Sequence, residues 1–268
     1  MIDRLKPVTC SAVSCKICGN RAELYGVVDF HKSCEELRGV SFLLSGVPVY
    51  YYRCTGCKFV FTEAFDQWSI EQFKVNIYNE QYKLVDPEYE HEVRPRRLGE
   101  MVARLWDRYK TETRVLDYGG GNDGFCAVLR QRGFPVAVTY DPMVPQYAQR
   151  PEGKFDLVTC FETLEHMPDP VGGIGSILEF SADAGLILFS TVVQPADFDQ
   201  HRLNWWYVAP RNGHVSIFSK PALTAVWDRH GYKVVSFDDT IHLAFRTLPH
   251  FLAHLDSSAL DRQKTNAA

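Results

Sequence analysis

The sequence predicts an α/β protein in which a mostly parallel sheet carries helices on both faces, preceded by a small β-rich head. Three observations lead there. Two C-x-x-C pairs lie within the first sixty residues, a glycine cluster follows a strand-like run at residues 115–125, and strand-like and helix-like segments alternate from Thr113 onward. The expected divisions are a head at 1–65, a helical and aromatic connector at 66–110, the α/β domain at 111–250 and a polar tail at 251–268.

In the head, Cys15-Lys-Ile-Cys18 and Cys54-Thr-Gly-Cys57 are separated by 35 residues. Each C-x-x-C turn sets two thiolates on one side of a tight loop, and two turns complete a tetrahedral S4 site. The segments "VPVYYYRC" and "KFVFTEAF" around the second pair are rich in β-formers. Knuckle, strands, knuckle, strand is the order of a zinc ribbon, with room for a short helix around "KSCEELRG". Four such cysteines without metal, or a redox C-x-x-C, are the alternatives; two pairs in one small segment favour metal. Cys10, Cys34 and His31 are substitutes for a misassigned ligand. Four thiolates leave no open position, so the expected Zn2+ is structural. Cys126 and Cys160 fall in the α/β pattern and read as small core residues.

The connector ends in an amphipathic helix with Leu98, Met101, Val102, Leu105 and Trp106 at i, i+3, i+4, i+7 and i+8. Arg94, Arg96 and Arg97 read as a solvated helix start. Tyr78, Tyr82 and Tyr89 read as packing residues, with a place over a ligand mouth as the alternative.

In the α/β domain, "RVLDYG", "FPVAVTYD", "KFDLVTCF" and "AGLILFST" are strands. "FCAVLRQRG", "PVGGIGSILEFS" and "KPALTAVWDRHG" are helices, the last with proline in its first turn. "YKVVSFDD" and "HLAFRTL" close as strands. Strand, helix, strand at this spacing means a parallel sheet covered on both sides, with ligands at the carboxyl ends of its strands.

The cluster "VLDYGGGNDGF" spells G-x-G-x-x-G through Gly119, Gly121 and Gly124, the fingerprint of a dinucleotide turn. Asp117 stands against that reading. A carboxylate so close to the turn would repel a pyrophosphate but accept hydrogen bonds from an ammonium group. Asp141, 24 residues on, ends the next strand, where a carboxylate can accept both hydroxyls of a ribose.

On "VLDYGGGNDGF", "VTYDP", "FDLVTCFETLEHMPDP" and the terminal strand pair, the chain resembles the class I S-adenosylmethionine-dependent methyltransferases, a Rossmann-like fold, over residues 96–246. The resemblance implies that Asp117, Gly119 and Gly121 hold the methionine part of S-adenosylmethionine. It gives Asp141 the ribose and places Glu162 and His166 at the active-site border. Two departures are plain: Asp123 stands where the third glycine falls in that family, and no third strand is evident between Asp141 and Phe155. The cysteine pairs with "FVF" and "IYNEQY" further resemble bacterial methyltransferases with a zinc-binding head, many of which modify sugars for surface polysaccharides or natural products.

For the chemistry, His166 is the expected base, with His214 and His201 as second choices; a helix-capping or backbone-bound histidine is the alternative. Trp205, Trp206 and Tyr207 offer rings to stack on a sugar or planar acceptor, or pack against the head. The expectation is methyl transfer to a small-molecule or glycan acceptor. Its competitors are an RNA methyltransferase, a nicotinamide-dependent oxidoreductase and an inactive binding module. A net charge of −4 argues against nucleic acid. No run of about 18 apolar residues suggests a membrane span. With no secretory signal in view, eight cysteines point to a reducing cytoplasm.

Overall fold

The computed structural model describes residues 12–248; Cys10 and the 251–268 tail lie outside the described residues. In the head, β1 (Val13–Ser14), β2 (Arg21–Asp29), β3 (Pro48–Cys54) and β4 (Val60–Phe61) pair antiparallel in that order. The two turns between paired strands carry the cysteine pairs. β2 is the longest of the four and was not legible as a strand. Its pairing with β3 shifts register between Leu24 and Gly26, a bulge that breaks the alternation a strand is recognised by.

The connector folds as α1 (Ile70–Asn76), α2 (Pro87–Glu90) and α3 (Val93–Leu105). Ser69 and Gln72 close a capping box at the start of α1, which satisfies two otherwise free amides. Of the expected stripe of α3, Val102 and Trp106 are buried and Leu98 and Met101 pack against the same core, while Leu105 departs from it. Pro95, Gly99, Val102 and Ala103 are buried, Trp106 follows them inward, and Leu105 is 63% exposed. The reason is Gly99: a Cβ there would lie 2.9 Å from the Val128 Cβ, so the missing side chain sets the helix contact and turns the inner face toward it.

The second sheet is built from β5 (Arg114–Tyr118), β6 (Val136–Tyr140), β7 (Phe155–Phe161) and β8 (Ser181–Ser190), all parallel. Between them stand α4 (Gly124–Gln131) and α5 (Pro170–Leu178). After β8 come α6 (Phe198–His201), β9 (Ser216–Ile217), α7 (Lys220–Asp228), β10 (Lys233–Ser236) and β11 (Ile241–Phe245). The sheet order is β10-β11-β8-β7-β5-β6, with β11 antiparallel to β8 and β10 antiparallel to β11. Among the described residues no strand lies between β6 and β7 in the chain, and β6 is the edge of the sheet beside β5, which pairs on its other side with β7.

Both faces of this sheet are covered, and its strands alternate between the two cores. Val115, Leu157, Leu186, Leu188 and Leu243 meet α3 and α4 through Val102, Trp106, Phe125 and Leu129. Leu116, Val158, Ile187, Phe189 and Ala244 meet α5 and α7 through Ile174, Ile177 and Trp227. Head and α/β domain are not independent layers. β9 pairs with β4 and completes the head sheet as its fifth strand. Cys15, Phe59 and Phe61 share one core with Phe218 and Trp227. Around the cysteine turns, Ser219 Oγ donates to the Cys57 carbonyl at 2.6 Å and Arg229 Nη1 to the Ile17 carbonyl at 2.9 Å.

Candidate functional site

The carboxyl ends of β5, β6 and β7 open into a cleft of about 930 Å³, roofed by the connector. The glycine turn forms its floor. Gly119 and Gly121 take φ of 72° and 64°, the left-handed region that a side chain disfavours. At Gly120 a Cβ would overlap the Asp117 carboxylate, and at Gly121 it would overlap the Tyr89 hydroxyl. The turn is therefore a cradle kept open by three missing side chains. Asp123 sits just before α4 without capping it and is paired with Arg130 and with the Thr139 hydroxyl, 3.1 Å away. It thus fixes the turn from behind and does not face the cleft, and Gly124 begins the helix.

Asp117 and Asp141 flank this cradle. Asp117 is 4% exposed and accepts the Thr159 hydroxyl at 2.7 Å. Burial, reinforced by the nearby charges of Asp141 and Asp123, raises its carboxyl to about 7. Asp141 accepts the Met143 amide at 2.8 Å on one oxygen and the Gly121 amide at 3.0 Å on the other. Burial still holds its carboxyl above the usual value, against the pull of those amides.

At the end of β7, Glu162 is a non-glycine residue at φ 48°, a strained conformation of the kind found at functional positions. Its amide donates to Ser190 Oγ at 2.8 Å, and that hydroxyl donates back to Glu162 Oε1 at 2.6 Å. Glu165 follows in a short turn, fully buried, with no hydrogen-bond partner for either carboxyl oxygen. Burial, with the Glu162 charge beside it, pushes its carboxyl well up, against the pull of the Tyr207 and Thr191 hydroxyls.

His166 lines the cleft, and its Nδ1 faces the Gly213 carbonyl at 3.2 Å. His214 lies behind it, 5% exposed, with ring centroids 5.0 Å apart and Nδ1 2.9 Å from the Tyr207 carbonyl. A carbonyl only accepts, so each Nδ1 carries the proton and each Nε2 keeps its lone pair. Burial lowers His166 to about 4 and His214 well below the ordinary value. Of the two readings of His166, a base or a backbone-bound histidine, the structure shows the contact to the Gly213 carbonyl, and the surroundings of the ring disfavour imidazolium.

The other candidates separate. Trp205 and Tyr207 are buried and pack with Phe198, Val208 and the head residues Val49 and Tyr51, with Trp206 against them. None of the three lines the cleft. His201 is on the surface beside Asp197. Tyr78, Tyr82 and Tyr89 do line the cleft, and they also pack edge to face on one another. Arg94 grips Asp86 with two bonds of 3.0 and 2.7 Å and fixes α2 to α3 above the cleft; Arg96 and Arg97 stay outside.

In the head, the four cysteine sulfurs gather with Sγ–Sγ distances of 3.7 Å for Cys15–Cys57, 3.4 Å for Cys18–Cys54 and 3.6 Å for Cys18–Cys57. Four thiolates about 2.3 Å from one zinc ion stand about 3.8 Å apart, so these donors suit one tetrahedral ion. The Cys57 hydrogen bond draws Cys15 down to about 5. Cys34 is elsewhere, its sulfur 3.7 Å from His214 Nδ1, and Cys126 and Cys160 are core residues.

A family model described as a methyltransferase domain matches residues 89–237, more than half of the 268-residue chain. The ubiquinone biosynthesis O-methyltransferase of Xanthomonas oryzae pv. oryzae is 35% identical over 111 residues, covering 38% of this chain and 46% of that protein. The protein of the same description from Yersinia pestis is 26% identical over 125 residues, covering 38% of this chain and 51% of that one. The chain thus spans about half the length of the curated relatives it matches. Among solved structures, magnesium protoporphyrin IX methyltransferase from Synechocystis, with bound SAH, is similar over 57% of this chain and 83% of that one, with a TM-score of 0.41 and 15% identity. No helix among the described residues is long and apolar enough to cross a membrane.

Proposed function

Because the chain belongs to the methyltransferase-domain family, we propose that it transfers a methyl group from S-adenosylmethionine to a hydroxyl oxygen of a small-molecule acceptor. The observation that carries this reading is the placement of Asp117 and Asp141 on either side of a glycine cradle that any Cβ would fill. That cradle fits the cofactor: a buried carboxylate for its ammonium, a second for its ribose hydroxyls, and bare backbone between them. Asp117, Gly119, Gly121 and Asp141 hold it, with Glu162 beside them at the end of β7. When bound, the cofactor supplies a sulfonium-activated methyl group.

The chain's own residues supply alignment and exclusion of water. Phe73, Tyr78 and Tyr82 line the cleft and Tyr89 stands against Gly121 of the glycine turn, and a fixed approach of acceptor to methyl accounts for much of the catalysis such a transfer needs. His166 Nε2 receives the acceptor's proton. A weak base suits an acceptor that is itself acidic, a phenol or enol more than an alkyl alcohol. An apolar, aromatic cleft suits the same molecules. Oxygen as the acceptor atom is also what the Xanthomonas and Yersinia relatives are named for. The rings Trp205, Trp206 and Tyr207, which a carbohydrate could stack on, pack against the head and do not line the cleft.

The four cysteines take a structural zinc ion. The test is incubation with methyl-labelled S-adenosylmethionine and a panel of phenols, alcohols and amines. Label is expected in phenolic oxygen; label confined to amines, or in no acceptor while the cofactor binds, overturns the oxygen assignment.

A further inference from the structure

In the head, the chain between the short helical turn Cys34–Arg38 and β3 leaves its apolar side chains in solvent. Leu43 is 90% exposed and Leu44 82%; with Leu37 they are the three most exposed large apolar side chains among the described residues. Val40 and Val47 of the same loop are exposed as well. From 39 to 47 the chain carries no charged residue. We propose that this loop docks the protein on a lipid bilayer, with Leu43 and Leu44 inserted at the boundary of headgroups and acyl chains.

The exposure is imposed by the fold. Asp29, the last residue of β2, accepts four hydrogen bonds: from the amides of His31 at 2.8 Å, Ser45 at 2.9 Å and Gly46 at 2.8 Å, and from the Ser45 hydroxyl at 2.9 Å. His31 Nδ1 donates to the Leu43 carbonyl at 2.6 Å, and the Phe30 amide donates to the Val47 carbonyl at 2.9 Å. The loop's polar groups thus turn inward, and its leucines point away from the protein. Two adjacent leucines held in water forfeit the stabilisation that burial gives. Exposed apolar patches of this kind mark surfaces that meet a partner or a membrane. Because the loop is already held, docking does not have to order it.

Extent and charge decide what covers the patch. Its five apolar side chains are far fewer than the roughly 20–30 residues a side of a stable protein interface, so the patch is too small to hold a second copy of the chain. A bilayer sets no such requirement: apolar groups reaching about 5–10 Å into the headgroup and acyl boundary bind in proportion to the area they bury. At the foot of the loop, Arg38 pairs with Glu35 at 3.2 Å and with Glu88 at 3.1 Å, and Arg97 lies 3.7 Å from Glu88. Acids match bases there, which suits a zwitterionic headgroup layer rather than an anionic one.

The patch is tied to the roof of the cleft. The Asn212 side chain accepts the Cys34 amide at 2.9 Å and donates to the Val85 carbonyl at 3.1 Å. Glu88 belongs to α2, beside the cleft residues Asp86 and Tyr89. Docking therefore brings this end of the cleft to the bilayer, where apolar molecules concentrate. Supply of an acceptor by that route rests on the methyl-transfer reading; the docking itself does not.

The full chain is sedimented with sucrose-loaded vesicles of phosphatidylcholine, and with vesicles that also contain phosphatidylserine. Partition into both is expected, reduced more than about tenfold in the double variant Leu43→Ser, Leu44→Ser. Leu105→Ser, which removes an exposed leucine of α3, should leave it unchanged. No partition, or equal partition of the wild type and a folded double variant, overturns the proposal; so does partition into the anionic vesicles alone. If the double variant does not fold, Leu44→Trp decides: its added emission must move to shorter wavelength with phosphatidylcholine vesicles, and an unmoved emission overturns the proposal. Sedimentation equilibrium without lipid separates the other occupant, since a wild-type dimer lost in the double variant would assign the patch to a second copy. S-adenosylhomocysteine is titrated into the same samples. Cofactor binding without partition removes the docking surface and leaves the methyl-transfer reading standing; partition without cofactor binding removes that reading alone.

Discussion

The Gly121 amide donates to the Asp141 carboxylate across 3.0 Å, tying the turn after β5 to the end of β6. This one bond joins the two halves of the proposed cofactor site, because the turn faces the methionine part and Asp141 faces the ribose. A ligand that takes the Asp141 oxygens therefore acts on a group already holding the cradle in shape.

Gly121→Ala tests the cradle. The new Cβ must displace the Tyr89 hydroxyl and sit at φ 64°, a conformation costing about 1–2 kcal/mol for an L side chain. Melting is expected to fall by about 3–8 °C, with cofactor affinity reduced more than Gly133→Ala reduces it. Gly133→Ala carries comparable strain at φ 97° with only ordinary contacts. Equal effects from the two variants would show that strain alone, and not the cradle, explains the loss.

Cofactor affinity should depend on pH through Asp117. Its carboxyl is raised from 3.8 to about 7 in the folded protein. Between those values the folded state holds a proton that the unfolded chain has lost, so this group's contribution to stability falls as pH rises through that window. An ammonium ligand prefers the charged carboxylate, so binding strengthens over the same rise and releases a proton. From about pH 6 to about pH 8 the affinity of S-adenosylhomocysteine should increase roughly tenfold. Asp117→Asn should flatten the profile. Thr159→Val removes the 2.7 Å hydrogen bond that favours the charged form and should move the midpoint upward; an unmoved midpoint would assign the titration to another group.

Removal of the proposed zinc should be felt beyond the head. The Cys54–Cys57 turn is bonded to Ser219, and Lys58 O accepts Gln194 Nε2 at 3.0 Å, while β9 completes the head sheet. A chelator that extracts the metal is expected to lower the melting temperature by about 10 °C or more in a single transition, with loss of cofactor binding on the same curve. Two separated transitions, the later one retaining cofactor binding, would show that the head and the α/β domain unfold independently.

Most of the second sheet was legible because its strands are short apolar runs punctuated by glycine, proline and helix starts, as at Val115–Asp117 and Pro170. The positions of Asp117 and Asp141 were legible for the same reason: both stand at strand ends, a position sequence can count to. What sequence could not show depends on partners distant along the chain. β2 is disguised by its bulge at Gly26, and the inner face of α3 is set by the contact of Gly99 with Val128. β9 is two residues long and is a strand only because β4 is beside it. For Trp205 and Tyr207 the sequence left stacking on a ligand and packing against the head both open, and the structure shows the packing, since polar–aromatic composition does not say which side of a loop faces solvent. Glu165 was passed over between Glu162 and His166, because its burial is set by segments distant along the chain.

The most direct test of the central claim is calorimetric titration of S-adenosylhomocysteine into the wild type and Asp141→Ala, with NADH titrated in parallel. The account predicts micromolar binding to the wild type, weakened more than about tenfold in the variant through loss of charge-assisted hydrogen bonds, and no heat from NADH. Binding of NADH with silence toward S-adenosylhomocysteine would contradict it and return the glycine turn to a dinucleotide.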